Sequence, residues 1–166
     1  LIERIKSEGQ SCPADLLITV DAGKLYKAAD ENLLEKIDVN LINENFKPEL
    51  IDDNGFWIPI TYRARAIVYN PKKVNIDDLS TYEDLSNDKW KNRILVRSST
   101  NAYNQALLSS LIAHHGKDFA LQWCNKMVAN FARNPKGNDR DQVRAITANI
   151  GDIAIVNTYY IGLLKS

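Results

Sequence analysis

Residues 151–160 read Gly-Asp-Ile-Ala-Ile-Val-Asn-Thr-Tyr-Tyr, and this stretch carries the clearest signal for the fold. Its short apolar run, Ile153–Val156, is rich in β-branched residues and predicts a buried strand. The polar pair Asn157–Thr158 ends the run, and two adjacent tyrosines follow it. Neighbouring side chains point to opposite faces within a strand, but at the end of a strand both rings can turn into one cleft.

Strand candidates alternate with helical patterns along the rest of the chain. The other strand candidates are Leu16–Val20, Trp57–Ile60, Ala64–Tyr69 and Ile94–Val96. Helical periodicity covers Gly23–Ala29, Glu31–Lys36, Tyr82–Asp84, Asn104–His114, Lys117–Asn130 and Arg140–Asn149. This alternation predicts an α/β protein with largely parallel sheets.

Two of the predicted helices begin with side chains that are suited to capping. Asn101 or Ser99 is the predicted cap of one helix, and Asn138 or Asp139 is the predicted cap of the other. The free backbone N–H groups at such helix starts bind anions readily, so Ser99, Thr100 and Asn138 are candidates for anion binding. Capping alone accounts for the same residues, and that structural interpretation stays open.

The composition is that of an ordinary soluble globular protein. The 166 residues include 21 Lys+Arg and 21 Asp+Glu, and 45% of them are hydrophobic. Zero net charge gives no general attraction to nucleic acid or to an anionic membrane. No apolar stretch approaches the ~20 residues that a membrane-spanning helix needs. The chain begins within a helical pattern and stops within an apolar run, which indicates a piece of a longer protein.

The motif content excludes several common enzyme classes. The sequence contains no glycine-rich nucleotide loop, no nucleophile elbow and no helical zinc-protease motif. Cys12 and Cys124 are the only cysteines; they fit two small buried residues, or a single bridge that their spacing does not demand.

Three tyrosines are candidate metal ligands. Phenolate oxygen is a hard donor that suits a hard ion such as Fe(III), so Tyr159 and Tyr160 together are suited to iron. A bound trivalent ion must displace the phenol proton, whose pKa is ordinarily ~10. Tyr103 follows a hydroxyl-rich loop at a helix start and is suited to a metal or an anion. The simpler interpretation is that the tyrosines are core and surface residues.

Arg63 and Arg65 are a second candidate pair, because their spacing places them on one face of a strand. A guanidinium group matches the geometry of carboxylate, carbonate or phosphate, so the pair is suited to clamping an anion. A solvated strand face with two like charges is the alternative.

The chain resembles the periplasmic ferric-iron-binding proteins, the substrate-binding components of bacterial iron(III) ABC transporters. The likeness extends over nearly the whole chain, and its most specific part is Asn157–Tyr160. The stretches that carry it are Pro13–Gly23, Tyr62–Arg65, Ile67–Asn70, Thr81–Leu85, Lys89–Trp90, Arg97–Asn104, Gly137–Asp141 and Gly151–Tyr160.

The resemblance implies a type II periplasmic-binding-protein fold, in which two α/β lobes are joined by hinge strands and close on the ligand. The fold would be incomplete in this chain, since a typical member of the family is close to twice as long. Residues 1–92 would form part of lobe I, with a hinge strand near 61–70, and residues 93–166 would form most of lobe II.

The resemblance also implies a function. Tyr103, Tyr159 and Tyr160 would bind Fe(III), and Arg63 or Arg65 would face a synergistic anion such as carbonate. The protein would be a monomer, not an enzyme, either free in the periplasm or anchored by lipid at the cell surface. It would deliver iron to an inner-membrane ABC permease and would not bind nucleic acid.

Three other interpretations remain open at this point. The first is a receptor of the same fold for an oxyanion or a small organic solute. The second is a redox enzyme that uses a tyrosine-ligated iron. The third is an α/β domain in which the tyrosines have only structural roles.

Overall fold

Strand β3 (Ile153–Asn157) is the central strand of a three-stranded sheet in the computed structural model, which describes residues 1–38 and 46–160. Strand β1 (Arg65–Tyr69) pairs with it antiparallel, and β2 (Ile94–Leu95) pairs with it parallel. All five residues of β3 are buried, which explains why its sequence is apolar without alternation. These three strands confirm the predicted strands at Ala64–Tyr69, Ile94–Val96 and Ile153–Val156.

Three longer helices lie between β2 and β3, and they confirm three of the predicted helices. They are α3 (Ala102–His115), α4 (Lys117–Ala129) and α5 (Asp139–Thr147). The segment between β1 and β2 contains three short 3-10 helices, Ile76–Asp78, Glu83–Ser86 and Asp88–Trp90. The predicted helical turn at Tyr82–Asp84 therefore forms as part of a 3-10 helix.

The sheet is mixed, whereas the alternation of strands and helices predicted largely parallel pairing. Strands β2 and β3 are parallel because the chain between them crosses back through α3, α4 and α5. Strand β1 is connected to β2 through short 3-10 helices only, and it joins the sheet edge antiparallel. An antiparallel edge strand of this kind is common beside parallel strands.

The two faces of β3 pack into two separate hydrophobic clusters. Ile153 and Ile155 belong to a cluster with side chains from α3, α4 and the 3-10 segments. Ala154 and Val156 belong to a second cluster with Ile146 of α5. Fully burying one isoleucine contributes about 1.5–3 kcal/mol, so both faces hold β3 firmly in place.

Among the described residues before 63, the α-helices are α1 (Ile2–Glu8) and α2 (Ala22–Asp30), and the 3-10 helices are Gly9–Ser11 and Pro48–Leu50. The predicted helix Glu31–Lys36 does not form, because Asn32 adopts a left-handed conformation with φ 56° directly after α2. Asp21 caps helix α2, because its carboxylate accepts a hydrogen bond from the backbone N–H of Gly23. The predicted helix at Gly23–Ala29 is therefore confirmed.

Two predicted strands, Leu16–Val20 and Trp57–Ile60, are not strands in the structure. Neither segment belongs to the sheet of the described residues, which consists of β1, β2 and β3. The apolar residues Leu16, Ile18 and Val20 are accordingly exposed.

The chain divides into two compact units, Leu1–Tyr62 and Arg63–Ser166. Strand β1 belongs to the second unit. The boundary between lobe I and lobe II that the sequence predicted, between residues 92 and 93, stays a prediction.

Within the described ranges, no helix is long and apolar enough to cross a membrane. Cys12 and Cys124 are both free thiols. Residues 161–166, where the sequence stops in an apolar run, lie outside the described part.

Candidate functional site

The starts of α3 and α5 and the end of β3 carry the residues that the sequence singled out. Asn101 caps α3 by accepting a hydrogen bond from the backbone N–H of Tyr103 at 3.1 Å, and Tyr103 is the second residue of that helix. Asn138 caps α5, and its own backbone N–H donates to Oδ2 of Asp141 at 2.8 Å, which completes a capping box. Both caps are among the residues predicted for these roles.

The three candidate tyrosines lie together. Tyr159 and Tyr160 have helical backbone directly after β3, so their rings do not alternate as they would in a strand. Their ring centroids are 4.3 Å apart, with 41° between the ring planes. Nδ2 of Asn157 donates to the phenol oxygen of Tyr159 at 3.3 Å, and Tyr103 and Tyr160 both interact electrostatically with this phenol.

The surroundings make the three phenols unequal. Burial alone would raise the pKa of Tyr159, but the hydrogen bonds from Tyr160, Asn157 and Tyr103, together with the charge of Arg63, lower it below its ordinary value. The hydrogen bond to Tyr159 and burial raise the pKa of Tyr160 to about 12. Burial and the neighbouring Tyr159 also raise the pKa of Tyr103. Tyr159 is therefore the first of the three to ionise.

Three guanidinium groups surround the ring of Tyr103. The Cζ atoms of Arg63, Arg97 and Arg65 lie 4.8, 5.5 and 5.7 Å from the ring centroid. A fourth, Arg140, lies 5.6 Å from the centroid of Tyr160. Such contacts are attractive in themselves, and the positive charge also favours ionised phenols and bound anions.

Arg65 makes a buried ion pair at the base of this cluster. Its Nη1 atom donates to Oδ2 of the fully buried Asp139 at 2.6 Å and to Oδ1 of Asn157 at 3.0 Å. Its Nη2 atom donates to Oδ1 of Asn104 and to the carbonyl of Ile155. Burial lowers the pKa of Arg65, and the Asp139 charge opposes that shift. These contacts give Arg65 a structural role; its predicted contact with an anion stays a prediction.

A polar cleft of about 300 Å³ opens beside the tyrosines. Its lining comes from both helix starts and from the tyrosine pair, and consists of Arg97, Asn101, Tyr103, Asn138, Arg140 and Tyr160. Of the residues predicted to bind an anion, only Asn138 lines it. Ser99 and Thr100 are exposed, and the backbone N–H of Thr100 instead bonds Oγ of Ser98 at 3.2 Å.

Sequence reasoning missed the two arginines of the cleft. Arg97 directly precedes the hydroxyl-rich loop before α3, and Arg140 lies two residues after the cap Asn138. Their position beside capped helix starts is a sequence signal that could have identified them. Together with the two caps they give the cleft the chemistry of an anion site.

The donor set around the tyrosines suits a hard metal ion. Across residues 1–38 and 46–160, no group of three or more His, Cys, Asp or Glu side chains could hold a metal. The phenol oxygens of the three tyrosines are hard donors, and such donors suit a trivalent ion such as Fe(III).

Comparisons with known proteins agree with this chemistry. The family model for bacterial extracellular solute-binding proteins matches residues 11–165. The chain is 48% identical over 167 residues to iron uptake protein A2 of Synechocystis sp. This alignment covers 100% of the present chain and 48% of the Synechocystis protein. The chain thus spans about half the length of the curated relatives it matches.

Two solved structures have the same fold. IdiA (FutA) of Trichodesmium, in complex with iron and citrate, is 48% identical with a TM-score of 0.92, covering 99% of this chain and 52% of that one. The ferric binding protein of Campylobacter jejuni is 40% identical with a TM-score of 0.90, covering 99% and 52%.

Proposed function

The chain belongs to the family of bacterial extracellular solute-binding proteins, and from this premise we propose that the complete protein binds Fe(III) through tyrosine oxygens. The resemblance inferred from the sequence is confirmed, and so is the type II periplasmic-binding-protein fold, of which this chain holds about half. The relatives named for iron uptake and ferric binding support the choice of cargo.

The observation that carries the proposal is the meeting of Tyr103, Tyr159 and Tyr160. The rings of Tyr159 and Tyr160 are 4.3 Å apart, and Tyr103 interacts with the Tyr159 phenol, although Tyr103 lies more than fifty residues earlier in the chain. Three phenolates balance the charge of one Fe(III), so the bound ion leaves the cluster locally neutral. Such a ligand set holds iron firmly in the ferric state, which suits carriage more than turnover, and the protein is therefore not an enzyme.

An anion completes the proposed site. The cleft beside Tyr160 contains Arg97, Arg140 and the cap Asn138, which together attract a carboxylate or carbonate. Arg63 lies 4.8 Å from the ring of Tyr103 and adds positive charge on that side. A citrate ligand accompanies iron in the Trichodesmium structure, which supports a synergistic anion.

Further members of the proposed anion site come from the sequence alone. Ser99, Thr100 and Arg65 remain predicted contacts for this anion, in addition to the residues that line the cleft.

The cellular role follows from the same family. We propose that the protein acts in the periplasm, free or anchored by lipid, and that it passes Fe(III) to an inner-membrane ABC permease as a monomer. The relative from Serratia marcescens that is named a periplasmic Fe(3+)-binding protein supports this location.

A visible absorption titration of the complete protein with a weakly chelated Fe(III) salt tests the proposal. We expect one equivalent of iron to produce a saturable phenolate-to-iron charge-transfer band. Tyr159→Phe should lose or shift the band and weaken iron binding by orders of magnitude without unfolding. Tyr26→Phe, at a tyrosine that is 65% exposed in the other unit, is the matched control and should behave as the parent.

Equal iron affinity in the parent and Tyr159→Phe would contradict the assignment of this ligand. Binding of citrate or carbonate without iron and without a band would instead favour a receptor for an oxyanion or a small organic solute. In that case the arginines and helix starts of the cleft would carry the site.

A further inference from the structure

Asn157 is the last residue of β3, and its fully buried side-chain amide lies between Arg65 and Tyr159. Nη1 of Arg65 donates to the amide oxygen at 3.0 Å, and the amide nitrogen lies 3.3 Å from the phenol oxygen of Tyr159. A guanidinium group has donors only, so the amide oxygen must face Arg65. The amide nitrogen therefore faces Tyr159 and donates to its oxygen.

Arg65 is itself held in one orientation. Oδ2 of Asp139, the first residue of α5, accepts from Nη1 of Arg65 at 2.6 Å and from the backbone N–H of Asn157 at 2.9 Å. Nη2 of Arg65 donates to Oδ1 of Asn104 at 2.9 Å and to the carbonyl of Ile155 at 3.0 Å. The guanidinium thus contacts acceptors from α3, α5 and β3 at once.

We infer that Asp139, Arg65 and Asn157 form a positioning relay that presents one N–H donor to the phenol oxygen of Tyr159. The inference rests on the proposed function and extends it, because none of the three residues has to touch the iron. A donor at this oxygen fixes the orientation of its lone pairs. The relay thereby holds the Tyr159 oxygen in one orientation before iron arrives.

A purely structural ion pair would not need this arrangement. A buried Arg–Asp pair adds little net stability compared with apolar packing, since both charges must be desolvated. The feature that points to positioning is the shared partner, because Asn157 bonds both members of the pair and then bonds Tyr159. An amide that was free to rotate could equally present its oxygen to the phenol, and Asn157 would then donate no hydrogen bond to Tyr159.

Nuclear magnetic resonance of the complete, iron-free protein tests the relay directly. In Arg65→Lys the charge stays, but a single ammonium group cannot reach all four acceptors. We expect protected side-chain amide protons for Asn157 in the parent and exchange at least about tenfold faster in Arg65→Lys. Arg93→Lys, at the arginine held by Asp152 near the opposite end of β3, is the matched control and should leave these signals unchanged.

Tyr159→Phe should shift the same Asn157 signals, because it removes the acceptor of the Nδ2 hydrogen bond. Parent-like exchange and chemical shift of the Asn157 amide in Arg65→Lys would overturn the inference. If Arg65→Lys does not fold, Asp139→Asn replaces it: this variant keeps the side-chain shape and removes the charge that holds Arg65, so the same change is expected.

The iron-loaded protein gives a second readout. Loss of a hydrogen bond from a phenolate raises the energy of its electrons, so the charge-transfer band of Arg65→Lys should move to longer wavelength. Iron affinity should fall about tenfold, as expected for a hydrogen bond to a charged group. Arg93→Lys should change neither the band nor the iron affinity, even if it lowers the melting temperature as much as Arg65→Lys does.

An unchanged band and affinity in Arg65→Lys would overturn the relay while the proposed function stands. A parent protein without any band would overturn the proposed function, and the exchange of the Asn157 amide would then decide the relay alone.

Discussion

Nε of Arg93 donates to Oδ2 of Asp152 across 2.8 Å, and Nζ of Lys73 lies 3.1 Å from the other carboxylate oxygen. This cluster joins the start of β3 to the residue that precedes β2 and to the turn that follows β1. Burial alone would raise the pKa of Asp152, but the hydrogen bonds from Arg93 and Lys73 lower it below its ordinary value. The carboxylate therefore contributes to stability only while it is ionised.

The pH dependence of stability follows from that direction. A carboxyl whose pKa is lowered in the folded state stabilises the fold above its unfolded pKa of ~3.9, and the contribution is lost as the pH falls through the folded value. We expect Asp152→Asn to lower the free energy of unfolding by about 1–2 kcal/mol at pH 7. In urea unfolding, the difference from the parent should be smaller at low pH than at pH 7, because it shrinks as the pH falls below ~3.9.

The exposed Asp53→Asn serves as the control for Asp152→Asn and should leave stability unchanged at both pH values. A loss in Asp152→Asn of the same size at low and neutral pH would indicate a packing effect instead of a charge effect.

The close approach of Gly151 to β2 predicts a steric effect. A Cβ atom added at Gly151 would lie 2.7 Å from Cγ of Leu95 and 3.0 Å from the carbonyl oxygen of Arg93. We expect Gly151→Ala to lower the free energy of unfolding by about 1–3 kcal/mol. In a Leu95→Ala background, chemical denaturation should show a smaller additional loss, because the side chain that clashes is gone. Equal losses in both backgrounds would assign the cost to the backbone alone.

The unequal phenols predict a distinctive tyrosine titration. In the iron-free protein, ultraviolet absorption should report one phenol that ionises below the ordinary range, and that step should be absent in Tyr159→Phe. Ionisation of Tyr160 should come last, near its pKa of about 12. Tyr26→Phe should leave the early step in place. An early step that survives in Tyr159→Phe would mean that another tyrosine is the most acidic.

The cleft predicts that Arg140 assists the anion. Carbonate or citrate should raise the iron affinity of Arg140→Gln about tenfold less than that of the parent, because the charge beside Tyr160 is lost. Arg144→Gln is the matched control, since Arg144 lies on the same helix with its side chain 67% exposed. Anion titrations of both variants and the parent check this. Similar behaviour of the two variants would place the anion elsewhere.

The elements that local sequence determines were predictable. The apolar run of β3 is buried on both faces. Asn101 and Asn138 cap the two helices whose starts their side chains predict. The meeting of Tyr103 with the later tyrosines was not visible from spacing. The resemblance supplied it, since no local pattern brings together residues that are so far apart along the chain.

Long-range partners explain what the sequence did not predict. The orientation of the Arg65 guanidinium group is set by Asp139, which lies 74 residues later in the chain. No sequence pattern around Arg65 reveals that partner. Leu16–Val20 is an apolar run of strand length, but it does not join the sheet of the described residues. Arg97 and Arg140 acquire a shared role only when α3 and α5 begin beside the same cleft.

All three tyrosines and all four arginines around them lie in the unit Arg63–Ser166. Under the proposed function, this one unit supplies every residue assigned to iron and to its anion. Substitutions within it would therefore decide whether the cargo is bound at all, whereas an exposed position of the other unit, such as Tyr26, would tolerate change.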